Sequence, residues 1–175
     1  GTATFTLNSR GIPMVSVKLT GLYSNTQDTA LPTDSDYSAF LAPQAVNKVN
    51  TTAFTLHGAT NPFDQFSLDL GNTVVYRNMP TLEEVLITDR RVTGSISIPM
   101  TSVATKAWHN IARDGTLAAI SMTHGSGAGK TFTITAPKVQ LTNPQYQDKD
   151  GVVMLNLTLQ LLPDTGNDEL SIALT

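Results

Sequence analysis

The run His124-Gly-Ser-Gly-Ala-Gly-Lys-Thr131 comes within one residue of the phosphate-cradling pattern Gly-x-x-x-x-Gly-Lys-Thr, with His124 where the first glycine belongs. That chemistry requires the Lys-Thr pair to open a helix, so that backbone N–H groups and the helix dipole face the phosphates. Here Thr131-Phe-Thr-Ile-Thr135 alternates polar and apolar residues, the period of a strand. The run therefore reads as a glycine-rich hairpin loop rather than a nucleotide site.

Other chemistry-bearing residues are scattered in the same way. The histidines at 57, 109 and 124 have no His, Asp or Glu at metal-ligand spacing on a regular element; His109 falls on a polar helix face and His124 in a loop. Asp148, Asp150 and Gly151 repeat a fragment of a calcium loop. Tyr146 and Leu157, however, occupy the places of that loop's first and last carboxylates. Glu83-Glu84, Asp69 and Asp89 could supply the two carboxyls of a glycosidase, yet nothing brings two of them into one cleft. Trp108, the only tryptophan, is predicted to be core rather than a sugar platform. No Gly-x-Ser-x-Gly elbow occurs. Asn50-Thr-Thr and Asn156-Leu-Thr fit the glycosylation pattern, the second in mid-strand. No catalytic, cofactor-binding or metal-ligating residue is expected, and no cofactor.

Composition narrows the function classes further. With 175 residues the chain can build one domain with a real core. Charged residues make up 14%, against about 25% in an average domain. Threonine fills 26 positions, many alternating with apolar residues, which marks the solvent side of strands. A net charge of −3, with Lys and Arg scattered apart from Arg90-Arg91, argues against a protein that grips phosphates. Zero cysteines exclude disulfides, thiolate zinc sites and a cysteine nucleophile. No apolar run approaches the roughly 20 residues of a membrane span, and no signal peptide opens the chain. The start at Gly1, running directly into a strand, is read as a chain whose upstream part has been removed.

The elements that must carry these residues are mainly strands. Phe66, Leu68 and Leu70 alternate; Gly71-Asn72 offers a reversal; Thr73–Tyr76 returns. A polar excursion over 77–84 precedes Val85–Thr88, a corner at Asp89-Arg90, and alternation over Ser95–Met100. This predicts two hairpins joined by a protruding loop. Upstream, Ala3, Phe5 and Leu7, a turn at Asn8–Gly11, and Val15, Val17 and Leu19 predict a first hairpin. The pattern then dissolves from Gly21 to Asn50, a loop long enough to be functional or an assembly element. Ala53–His57 is a strand. Ser102–Asp114 is predicted to be the one flanking α-helix, capped by Thr101 or Ser102 and ended at Gly115. Leu117–Thr123, Thr131–Ala136 and Pro137–Thr142 are extended, Asp148–Gly151 is a hairpin corner, and Val153, Leu155, Leu157, Leu159 and Leu161 share one strand face. Leu170, Ile172 and Leu174 close the sheet. About ten strands and one helix around residues 102–114 predict a mainly β fold: a single antiparallel sandwich or barrel-like domain over 1–175.

Taken in order, FTLHG (54–58), FSLDLGNTVVYR (66–77), VLITDRRVTGSISI (85–98), SMTHG (121–125), APKVQLTNPQYQDKDG (136–151) and LLPDTGNDEL (161–170) resemble the tail tube proteins of long-tailed bacteriophages and prophages. The resemblance spans nearly the whole chain and implies a β-sandwich or barrel flanked by a helix. It further implies a virion protein, made in the host cytoplasm, that self-associates into stacked, commonly hexameric rings. Other tail proteins would be its partners, DNA would pass through the channel without being specifically bound, and no membrane is involved. Relatives carry a further N-terminal portion, so the resemblance places this chain as the C-terminal part of a longer protein. Loops 21–50, 77–84 and 124–130 are the candidate contacts between subunits, because tube assembly needs edges and loops that pair with neighbours.

A second function class fits the same sheet. A carbohydrate- or ligand-binding β-sandwich of a phage or bacterial surface protein would need a concave aromatic face, with Tyr23, Tyr37, Tyr76 or Tyr146 on it.

Overall fold

A computed structural model of the chain describes residues 1–38 and 40–175. Eleven strands and one short helix follow one another among those residues: β1 (Thr2–Asn8), β2 (Met14–Lys18), β3 (Thr51–Leu56), β4 (Gln65–Asp69), β5 (Asn72–Met79), β6 (Leu82–Arg90), β7 (Thr93–Pro99), α1 (Trp108–Arg113), β8 (Leu117–His124), β9 (Phe132–Lys149), β10 (Val152–Leu162) and β11 (Ser171–Leu174). The expected mainly antiparallel β fold is present. Nine strands form one sheet in the order β2-β1-β4-β7-β10-β9-β8-β3, with β11 added to β9. β5 and β6 pair only with each other.

Side-chain alternation explains the curl of that sheet. Leu7, Phe66, Leu68, Ile96, Ile98, Leu155, Leu157 and Leu159 all turn inward and are buried, drawn from neighbouring strands of one face. Phe54 of β3 then meets Phe66 of β4, with ring centroids 6.2 Å apart, and Phe63 at 5.0 Å. β3 and β4 stand far apart in strand order, so the sheet must roll into a half-barrel for these rings to touch. β1 and β2 continue beyond that seam. All five residues of β2 are consequently exposed.

Three departures from the sequence expectations have plain causes. Gly71-Asn72 does not make a hairpin: β4 pairs with β1 and β7, and the chain leaves the sheet at that point. The polar excursion over 77–84 is instead the far end of the β5–β6 hairpin, where Met79 opposes Leu82 across a Pro80-Thr81 turn. Proline supplies the fixed φ of the first turn position, while Thr81 takes φ +69°, uncommon for a β-branched residue. β6 also runs through the expected corner at Asp89-Arg90, since Asn72 and Thr73 pair with Arg90 and Asp89.

The helix is shorter than the apolar stripe suggested. Ser102–Lys106 forms turns, with Thr105 and Lys106 N–H groups bonded to the Ser102 carbonyl, and α1 begins after Ala107 without a side-chain cap. Its end is as expected. Gly115 at φ +63° lets its N–H reach the Ala112 carbonyl while Thr116 N–H reaches Ile111, a Schellman closure. Trp108 is fully buried, its indole N–H donating to the Thr101 hydroxyl at 3.0 Å.

β9 is one long strand rather than two segments, although it contains Pro137 and Pro144. Both prolines sit where the ladder slips, one opposite the Ala118–Ile120 shift and the other opposite the Asn156–Thr158 shift. A bulge leaves a backbone position unpaired, so proline's missing N–H costs little there. The Asp148–Gly151 corner is a two-residue turn joining Lys149 to Val152, with Asp150 at φ +54° and Gly151 at φ +78°. In β10 the inward set starts at Leu155, since Val153 is exposed; Met154, on the opposite face, is also buried.

Replacing Trp108 with alanine should remove about 3–5 kcal/mol of stability. Urea unfolding should show the midpoint falling with an unchanged slope; a loss under 1 kcal/mol would mean that the helix covers the half-barrel end only loosely.

Candidate functional site

The residues singled out for chemistry do not converge. The glycine-rich run is the β8–β9 connection: His124 pairs with Phe132, and Lys130 N–H returns to the Gly127 carbonyl. Gly125 has φ +105°, and a Cβ there would lie 1.9 Å from the Lys130 carbonyl oxygen. The loop is thus a tight reversal between strands, as its alternation predicted. His124 differs from expectation in being the buried last residue of β8, not a loop residue. Its Nε2–H donates to the Gln44 carbonyl at 3.1 Å, which leaves Nδ1 to accept from the Thr51 hydroxyl at 3.0 Å. Gln44 also accepts Ser126 N–H at 2.9 Å, so His124 and Gln44 together fasten the end of the long loop to the hairpin. Beside them lies an apolar hollow of about 340 Å³ floored by Ile12, Leu41, Phe132 and Leu174.

His57 is likewise occupied. It takes φ +51°, donates from Nε2 to the Val139 carbonyl at 2.8 Å, and its own carbonyl accepts from Lys106 Nζ at 2.7 Å. Desolvation pushes its pKa below the ordinary value, opposed by the Val139 bond and aided by the Lys106 charge. His109 lies against Tyr146, ring centroids 5.2 Å apart. Among the described residues no group of three His, Asp or Glu side chains is placed to hold a metal ion.

The carboxylates are engaged locally. Asp69 accepts Gly71 N–H and Asp89 accepts Arg90 N–H, each at the root of the β5–β6 ribbon. Glu83 accepts the Tyr76 hydroxyl at 2.6 Å, and Glu84 pairs with Arg77 at 3.5 Å, both across the ribbon. Asn50 and Asn156 donate their side-chain amides to Ala45 and Gln147. The four tyrosines are spread over three parts of the fold: Tyr23 and Tyr37 in the long loop, Tyr76 on the ribbon and Tyr146 on β9. They form no common platform.

What the surface does carry is unsatisfied sheet. β2 ends the main sheet on one side and β3 on the other, each with an edge that no strand covers, although Leu56 at the end of β3 is bridged to Ala59. Val15 and Val17 on β2 are 54% and 58% exposed. Residues 20–44, apart from Ala39, which lies outside the described residues, contribute no strand or helix, and Tyr23, Leu31 and Phe40 stand mostly in solvent. The β5–β6 ribbon projects from the body with apolar side chains on both faces. Sequence reading missed this ribbon. Its signal was the proline-led turn between two β-rich runs and the Arg77/Glu84 pairing across it.

Open edges of this length normally invite association and are blunted in monomers by charge, proline or short strands. The family model for phage tail tube proteins matches residues 1–161, and the chain belongs to that family. It is a phage tail structural protein, a component of the virion. The match ends within β10, leaving β11 outside it. No curated protein matches the chain. No helix among the described residues is long and apolar enough to cross a membrane.

The His57 environment has a pH consequence. Because burial lowers its folded pKa below the unfolded value near 6.5, the unfolded chain binds the proton first as pH falls. Stability should therefore be full above about pH 6.5 and decline below it. A His57→Asn variant, whose side chain tolerates the left-handed backbone, should flatten the melting-temperature profile between about pH 5 and 7. An unchanged profile would mean that His57 is not the titrating group.

Proposed function

We propose that the chain is a tail tube subunit whose activity is association with copies of itself into stacked, commonly hexameric rings around a channel that passes DNA. Support comes first from the two unpaired edges at opposite ends of one sheet. Joining β2 of one copy to β3 of the next would be a heterologous contact, and such contacts close into rings or continue as filaments according to the rotation between copies. Backbone hydrogen bonds would supply register, and Val15 and Val17, which within the subunit oppose only Phe5 and Ala3 of β1, would gain a second cross-strand neighbour.

Charge suits the same role. A channel wall should not neutralise phosphates, because each neutralised phosphate adds salt-dependent non-specific affinity. A net charge of −3 with no basic stripe favours passage over retention. One buried apolar cluster runs from Leu7 to Leu161, which supports treating residues 1–175 as one domain.

Electron microscopy of the purified chain at increasing concentration should reveal rings or tubes. Combining Val15→Lys with Val17→Lys should leave the chain monomeric, with a melting temperature within about 2 °C of the parent, since neither side chain packs on the core. Tubes formed equally well by the double variant would show that β2 is not an interface.

A further inference from the structure

The ribbon formed by β5 and β6 has no partner in its own subunit beyond its root. There Asn72 donates to the Gly1 carbonyl at 2.9 Å, and Arg90 bonds Glu169 and Asn167. An isolated two-stranded hairpin is marginal in water. This one is stiffened by bonds internal to itself, Tyr76 to Glu83 and Arg77 to Glu84. Opposed residues share a face, so pairing assigns Val74, Ile87, Tyr76, Val85, Asn78 and Glu83 to one side. That side is the less finished of the two. Ile87 is 56% and Tyr76 48% exposed, and Glu83 has no cationic partner among the described residues.

The complementary surface lies at the seam of the half-barrel. A groove of about 520 Å³ runs along β3, with Phe54, Phe63 and Val46 among its lining residues. Lys48 stands beside it, exposed and in no ion pair among the described residues. Asn61 also lines it.

We propose that the Glu83 face of the ribbon seats in the Lys48 groove of a second copy of this chain. The inference rests on the tube-subunit reading and adds which surface meets which. Apolar residues of the ribbon cover the aromatic floor, and the Glu83 carboxylate, which within its own subunit accepts only the Tyr76 hydroxyl, pairs with the Lys48 ammonium. The contact joins unlike surfaces, so every copy keeps one ribbon and one groove to offer.

Charge exchange tests it. Lys48→Glu and Glu83→Lys should each raise the concentration needed for tube formation by about tenfold or more, and the two changes in one chain should restore assembly to within about threefold of the parent. Because Glu83→Lys also removes the Tyr76 bond, a second measurement is independent of that residue. The chain has no cysteine, so Asn78→Cys and Thr60→Cys each provide one thiol. A short bismaleimide should join the two variants when they are mixed under assembly conditions, and neither variant to itself. Full assembly by the single charge variants, or no cross-link in tubes of the mixture, overturns the ribbon contact and leaves the tube reading standing. A parent chain that remains monomeric at all concentrations removes both.

Discussion

The structure depends on how far the main sheet curls before its ladder runs out. Phe54, Phe63 and Phe66 pull β3 back toward β4 and seal the core, but no backbone hydrogen bonds close the circle. A full barrel would have abolished its edges. The half-barrel instead satisfies its apolar side chains and leaves its backbone unsatisfied at β2 and β3. In the proposed assembly, stability and association are thereby separated: the aromatic seam serves the first, and the open edges would serve the second.

The same separation recurs at smaller scale. His57, His124 and Gln44 spend their hydrogen bonds on backbone carbonyls and neighbouring loops, fastening connections to the sheet. Asp168 accepts the Asp164 and Thr165 N–H groups and the Thr165 hydroxyl, which holds its pKa down to about 2 and shapes the turn before β11. Polar groups that elsewhere would do chemistry are here structural fasteners. The apolar groups left over lie on edges, on the long loop and on the ribbon, where another subunit can reach them.

Much of this was legible in the residues. Strict alternation located β4, β7 and β10, Asp150-Gly151 announced its turn, and Gly115 marked the helix end. The failures share one cause, which is that local pattern does not say which strand pairs with which. Gly71-Asn72 has hairpin chemistry, yet β4 finds better partners in β1 and β7, and the glycine serves a departure from the sheet: a Cβ there would lie 2.1 Å from the Arg91 carbonyl oxygen. The 77–84 stretch looked like loop because Arg77, Asn78, Glu83 and Glu84 are polar, although those residues pair with one another across a ribbon. Ser102–Lys106 keeps a helical stripe, but Ser102 bonds its own turn instead of capping a continuous helix. The groove at β3 could not be read from the sequence, since it is assembled from residues 9, 46–48, 51–54 and 60–63 by the curl alone.

Backbone amide hydrogen exchange, comparing dilute monomer with assembled protein, addresses the central claim most directly. If unfinished edges are what subunits complete for one another, the outward-facing amides of Met14–Lys18 and Thr52–Phe54, which lack a partner within the subunit, become protected on assembly, while the buried strands change little. Equal exchange at both edges in the two states would contradict the account, whatever the particles look like.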